Sequence, residues 1–172
     1  MKKLLLIGIM ALAGLNVSAQ EDGKEWAKKL HAEFKVSYGL KQHDMTPINA
    51  NTRLSYDILK RVSISGAFEK NWMLVKAEGS KHYADGMSVG GGVGYMFAVD
   101  DGYNVEARLQ VLTSVGKTDW KYTTYEAGVM FYLTPNHRQL APVVGGGYRL
   151  EKSRTDGVRN WGSIFGTFGL RF

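Results

Sequence analysis

The stretch Tyr103–Val115, "YNVEARLQVLTSV", decides how this chain folds. Tyr103, Val105, Ala107, Leu109 and Val111 fall at every second position, and Asn104, Glu106, Arg108, Gln110 and Ser114 fill the alternate ones. Side chains of an extended backbone alternate between two faces, so this segment is a strand with one apolar and one polar surface. A helical period would mix the two sets on every face. Outward from it, "DDG" at Asp100–Gly102 and "GKTDW" at Gly116–Trp120 supply turn chemistry at both ends.

The pattern recurs along the chain. Strands are predicted over Ala32–Lys41, Asn51–Leu59, Val62–Trp72, Met87–Val99, Tyr103–Val115, Lys121–Thr134, Leu140–Glu151 and Trp161–Phe172. In the first, Phe34, Val36, Tyr38 and Leu40 oppose Glu33, Lys35, Ser37 and Lys41. In the second, Leu54, Tyr56 and Ile58 oppose Arg53, Ser55 and Asp57. In the last, Ile164, Phe168, Leu170 and Phe172 oppose Ser163, Thr167 and Arg171. Each predicted strand is about the 9–11 residues that a tilted strand needs to cross a bilayer, or a little longer. The connections "KR", "DDG" and "PNHRQ" are short. Those around "QHDMTPIN", "MLVKAEGSKHYAD", "GKTDW" and "KSRTDGVRN" are mostly longer. Alternating short and long connections suit an up-and-down barrel with tight turns on one side of a membrane and loops on the other.

The front end reads differently. "MKK" followed by the apolar run "LLLIGIMALAGL", then Val17 and Ala19 as small residues before a cleavage point, is the pattern of an export signal. The apolar run is short for a spanning helix, which needs about 20 such residues. Residues 1–19 are therefore expected to be a signal peptide, 20–31 a periplasmic lead-in, and 32–172 one barrel domain. Within the lead-in, "EDGKEWAKKLHAEF" places Trp26 and Leu30 on one side of a short amphipathic helix; a disordered segment is the other reading. The sequence contains no cysteine, which excludes a lipoprotein anchor and a disulfide framework. The basic excess, 22 Lys and Arg against 16 Asp and Glu, is spread too thinly to point to nucleic acid.

Alternation alone also fits a soluble sheet whose apolar side faces inward, and a secreted lipocalin-like ligand-binding barrel is that inverted reading. Two features favour the membrane. The polar face is as rich in Gly, Ser and Thr as in charge, unlike a wet surface. Trp72, Trp120 and Trp161 fall at strand ends beside the longer connections, where a membrane-interface aromatic girdle would sit.

The eight strands, the export signal and the ending "FGLRF" resemble the small OmpA/OmpX-type barrels of Gram-negative outer membranes. The resemblance is one of pattern over residues 20–172. It implies a closed eight-stranded antiparallel up-and-down transmembrane β-barrel, a monomer, in contact with outer-membrane lipid and lipopolysaccharide. It also implies an assembly signal read by the barrel-assembly machinery, for which Phe168, Leu170 and Phe172 occupy the outward positions. The usual signal has a glycine five residues before the end, where this chain has Thr167 between Gly166 and Gly169.

Eight strands enclose an interior just wide enough for side chains to fill. The inward charges Glu33, Arg53, Glu69, Glu106, Arg108, Glu126, Arg149 and Arg171 are of mixed sign and are expected to pair, because a stranded buried charge costs several kcal/mol. Hairpin geometry sets Glu126 opposite Arg149 and Arg53 near Glu69. "GGGVG" at 90–94 and "VVGGGY" at 143–148 remove bulk where long charged chains cross the lumen. Neither cluster leads into a helix, as phosphate binding would require.

The functional expectation is a plugged barrel with a structural or surface-interaction role through its outer loops, with no cofactor, no metal and no catalytic residues. The loop zones carry Lys76, Lys81, Lys117, Lys152, Arg154 and Arg159 against Glu78, Asp85, Asp119 and Asp156. That excess suits lipopolysaccharide phosphates, and it is also what an ordinary solvated loop surface carries. The alternative is a lipid A-modifying deacylase or acyltransferase. It would need a nucleophile, a base and an acid to converge. His43 with Asp44, and His82 with Ser80 and Asp85, are the candidates at the outer side; His31 and His137 fall on the other.

Overall fold

The computed structural model describes residues 29–41, 45–77, 80–117, 120–133 and 140–172, excepting the side chains of 45 and 74–84. Eight strands follow one another: β1 (Leu30–Gly39), β2 (Met45–Leu59), β3 (Val62–Ala77), β4 (Ser80–Val99), β5 (Tyr103–Val115), β6 (Tyr122–Leu133), β7 (Ala141–Ser153) and β8 (Trp161–Arg171). Each pairs antiparallel with its neighbour in sequence, and β8 returns to β1, so the sheet is a closed barrel. This is the fold expected from the alternating pattern.

Closure is made by backbone pairing at the seam. Glu33 lies opposite Arg171 and Val36 opposite Phe168. The Phe172 amide donates to the Ala32 carbonyl at 2.7 Å, and the Ala32 amide donates to the Phe172 carbonyl at 3.1 Å. A paired terminal strand leaves no open sheet edge, the condition for a sheet in lipid. Thr167 serves the same seam. Its hydroxyl donates to the Val36 carbonyl at 3.0 Å and accepts from the Ser37 hydroxyl at 3.0 Å.

Strand boundaries depart from expectation in four places. β1 begins at Leu30, so Leu30 and His31 belong to the barrel and not to the lead-in. β2 begins at Met45, inside the segment read as a loop. The expected long connection over residues 73–85 is instead ladder. β3 and β4 stay paired from Met73 opposite Ala84 to Ala77 opposite Ser80, leaving only residues 78–79 between them. Two antiparallel strands satisfy each other's backbone groups whatever their side chains, so pairing outlasts the hydrophobic alternation. The connection between β6 and β7, read as a short turn, spans residues 134–140. Residues 1–28, which include the expected signal peptide and most of the lead-in, lie outside the described residues.

The two faces differ sharply. Outward side chains include Val36, Leu54, Phe68, Val93, Leu109, Phe131, Tyr148 and Ile164, and they stay exposed on every strand. Ile164 at 60 % and Phe168 at 62 % are among the most exposed. A soluble monomer exposes apolar patches of a few hundred Å² at most. A continuous apolar cylinder is the surface of a protein solvated by acyl chains. The soluble ligand-binding barrel needs the reverse arrangement and is excluded by this orientation.

Glycines make the cylinder tight. A Cβ at Gly90 would strike the Val111 carbonyl and the Leu112 backbone, and one at Gly147 would strike the Ala127 carbonyl and Gly128. Close backbone approach between neighbouring strands at these points lets the sheet coil strongly enough to close with eight strands.

Candidate functional site

The site-like region is the lumen, where alternate residues of every strand converge. Its charged groups form two clusters at different heights. One end of the barrel carries the start of β1, the end of β8 and the connections 60–61 and 100–102; the other carries the connections 116–121 and 154–160.

Nearer the short-turn end, Glu33 of β1 meets Arg108 of β5 in a two-point contact. Arg108 Nη1 donates to Oε1 at 2.7 Å and Nη2 to Oε2 at 2.9 Å. Arg108 Nε donates to Glu106 Oε1 at 3.2 Å, and Arg53 Nη2 donates to the same oxygen at 3.1 Å. Arg53 Nη1 also lies 3.8 Å from Glu33 Oε2. The Tyr132 hydroxyl completes the cluster. It accepts from Arg108 Nη2 at 2.6 Å and donates to Glu106 Oε2 at 2.5 Å, with Glu33 Oε2 3.1 Å away. Gly94 makes the room, because a Cβ there would overlap the Glu106 carboxylate and the Ser63 hydroxyl. Forked guanidinium–carboxylate pairs are the strongest ion contacts available to side chains, and burial demands them.

Nearer the loop end, Arg149 of β7 binds Glu69 of β3 across the lumen, Nη1 to Oε1 at 2.9 Å and Nη2 to Oε2 at 2.7 Å. Arg149 Nη2 also donates to Glu126 Oε2 at 2.5 Å, and Lys35 Nζ donates to Glu126 Oε1 at 3.1 Å. Glu126 does lie opposite Arg149 on β6 and β7. Arg53, by contrast, does not reach Glu69: the registers set Arg53 against Ala67 and give Glu69 to Asn51, whose Nδ2 donates to it at 3.3 Å. The hairpin turns where expected, but each register step moves a long side chain along the lumen, and the carboxylate that reaches Arg53 comes from β5. Above this cluster Asn71 donates to the Tyr122 hydroxyl and to Ser88 Oγ, the latter at 3.1 Å.

Sequence reading missed an apolar part of the interior. Met130, Tyr132, Val143 and Phe165 form a buried cluster inside the barrel, with Met96 packed on it. Their signal was present: on β6 and β7 both faces are partly apolar, since Phe131 and Val144 point outward beside them. The Arg149 guanidinium sits over the Phe165 ring at 5.7 Å, and Arg171 sits over Tyr132 at 4.6 Å. Arg171 is thus half-buried against an aromatic face rather than inside the ion-pair clusters.

The three tryptophans do not share one environment. Trp72 points outward and is 38 % exposed. Trp120 is half-buried at the loop end, donating to Ser153 Oγ at 3.2 Å and packed on Tyr122. Trp161 is turned into the lumen and is only 4 % exposed, so it corrects the expectation of an interface aromatic there. It starts β8 on the same face as Ser163, Phe165 and Thr167, and strand parity overrides its position near a loop. Of the C-terminal positions, Phe168 projects outward and Leu170 is half-buried beside Phe34 and Pro142.

The histidines do not assemble a site among the described residues. His31 Nε2 contacts Asp57 Oδ2 at 2.9 Å near the short-turn end. His43, Asp44 and His137 lie outside the described residues. His82 stands opposite Val75 in the β3–β4 ladder, with its side chain outside the description. Asp85 is exposed on the outer face and accepts from Lys70 at 2.5 Å.

No family model and no curated protein matches the chain. Among solved structures it is similar to the outer membrane protein Ail of Yersinia pestis in a phospholipid bilayer nanodisc. The identity is 17 %, the TM-score 0.46, and the match covers 83 % of this chain and 99 % of that one. A crystal structure of Ail, the attachment invasion locus protein of the same organism, matches at 17 % identity and TM-score 0.45, covering 83 % and 96 %. The NanC porin matches at 13 % identity and TM-score 0.34, covering 83 % and 78 %.

Proposed function

We propose that this protein is an integral outer-membrane barrel of a Gram-negative cell whose lumen is plugged by its own side chains. Its role is structural or interactive, exercised through the loop end. The carrying observation is the opposition of the two faces: an apolar exterior on every strand, and Arg149 with Glu69 buried at 0 % exposure across the middle of the lumen. Ion pairs that bridge β3 to β7 and β1 to β5 leave the interior occupied by side chains where an open pore would need water. In this reading the short-turn end faces the periplasm, and lipopolysaccharide contacts the loop end through residues such as Lys152, Arg154 and Arg159. The assembly machinery reads Phe168, Leu170 and Phe172 on the last strand. An extracellular ligand, if one is bound, meets the same loops.

The test is direct. The chain lacking residues 1–19 is refolded into lipid vesicles loaded with a small dye. Expected results are a band that migrates differently before and after boiling, and dye retention equal to that of empty vesicles. Folding into a compact monomer in buffer without detergent overturns the membrane assignment. Dye release overturns the plugged lumen. Binding to lipopolysaccharide micelles that drops several-fold in a Lys152→Ala/Arg154→Ala/Arg159→Ala variant supports the loop-end role, and unchanged binding removes these residues from it.

A further inference from the structure

Leaving aside Arg171, half-buried against Tyr132, the ionisable groups buried in the lumen do not balance. In the short-turn cluster Arg53 and Arg108 meet Glu33 and Glu106, two against two. In the loop-side half, Lys35 and Arg149 face Glu69, Glu126 and a third buried carboxylate, Glu151. Among the described residues, Glu151 is the buried carboxylate with neither oxygen hydrogen-bonded. Arg149, two positions along the same face, directs both terminal nitrogens at Glu69 and Glu126; its Nε has no acceptor.

The surroundings of Glu151 are polar and similarly unsatisfied. Thr124 stands directly opposite it on β6, and Trp161 directly opposite on β8. Gln110, paired with Glu126, lies one diagonal step from Thr124 on the same inner face. Thr124 Oγ1, both polar atoms of the Gln110 amide and Trp161 Nε1 are buried without partners. Asn71 Oδ1, whose amide nitrogen holds Tyr122 above this level, is unpartnered too. Native interiors leave few such atoms, and their concentration on adjoining strands around one surplus charge marks a place where something binds.

We propose that the loop-side half of the lumen binds one hard monovalent cation, sodium or potassium, held by the Glu151 carboxylate with the Thr124 hydroxyl and the Gln110 carbonyl oxygen. Oxygen donors of this kind are what hard cations take. One positive charge cancels the surplus, whereas a divalent ion would leave an excess positive charge beside Arg149. The inference rests on the barrel's interior alone and is independent of any role at the loop end.

The experiment uses the refolded barrel in a neutral detergent, melted in sodium, potassium, choline or calcium chloride at equal ionic strength. Sodium or potassium is expected to raise Tm by about 5 °C over choline, saturably with concentration, while calcium does not. Glu151→Gln is expected to erase the dependence, and Thr124→Val to move its midpoint several-fold higher. Crystals grown with rubidium are expected to show anomalous scattering beside Glu151. Equal Tm in all four salts, an unchanged dependence in Glu151→Gln, or no anomalous peak overturns the site. Stabilisation by calcium alone overturns its assignment to a monovalent ion. Should Glu151→Gln not fold, the wild-type salt series and the rubidium crystal still decide.

Discussion

The two halves of the lumen are built from the same residue types and reach different states. Each has a forked Arg–Glu pair spanning the barrel, Arg108 with Glu33 in one and Arg149 with Glu69 in the other. In the short-turn half every carboxylate oxygen is hydrogen-bonded, with Tyr132 adding a hydroxyl between Glu33 and Glu106, and the charges of the cluster cancel, although Arg53 Nε has no acceptor. The loop-side half keeps Glu151 and its neighbours unsatisfied. The difference lies in which neutral group stands nearby. A hydroxyl reaching into an ion cluster completes it, whereas Thr124 and Gln110 stop short of the carboxylate. A narrow barrel can therefore hold a cluster whose carboxylates are all satisfied and one with a carboxylate left over within a few residues of each other.

The largest expected effect breaks the comparison from the loop side. Arg149→Met leaves Glu69 without a cation and Glu126 with Lys35 alone, beside Glu151, and should lower stability by about 5 kcal/mol in urea unfolding from micelles. A cost below that of the next variant would mean that the loop-side half does not depend on its one shared guanidinium. In the short-turn half, Glu33→Gln leaves Arg53 and Arg108 with Glu106 alone, for about 4 kcal/mol. Combining it with Arg108→Gln should cost clearly less than the sum of the single changes, and additivity would show that the pair is uncoupled.

Smaller effects sharpen the contrast between inside and outside. Gly94→Val pushes into the Glu106 carboxylate and should cost about 2 kcal/mol. Gly166→Val, with nothing within 4 Å of its Cβ, should be close to neutral. Equal losses at the two positions would remove the contrast between the faces, and a larger loss at Gly166 would reverse their assignment. Lys70→Ala removes an ion pair on the outer surface and should change stability by less than about 0.5 kcal/mol, and less still in high salt.

Much of this was legible along the chain because a strand writes its environment in every second residue. The eight strands, their order and the inward side of Glu33, Arg53, Glu69, Glu106, Arg108, Glu126 and Arg149 follow from parity alone. Partner choice was less legible. Glu126 and Arg149 are neighbours in a hairpin, so sequence proximity identified them; Arg108–Glu33 and Arg149–Glu69 join strands that are not adjacent, 75 and 80 residues apart in sequence. Trp161 misled because its place beside a loop suggested an interface, while its parity carried it inward. The extended β3–β4 ladder was hidden because backbone pairing leaves no side-chain signature.

The sequence by itself determined the period, the number of ribbons and which side of each is apolar, since these depend only on local backbone geometry. The tertiary structure alone decided which charges meet across the lumen, and that one carboxylate is left over. Those outcomes depend on the stagger of strands around a closed cylinder, where a shift of a single residue brings a different side chain to the axis.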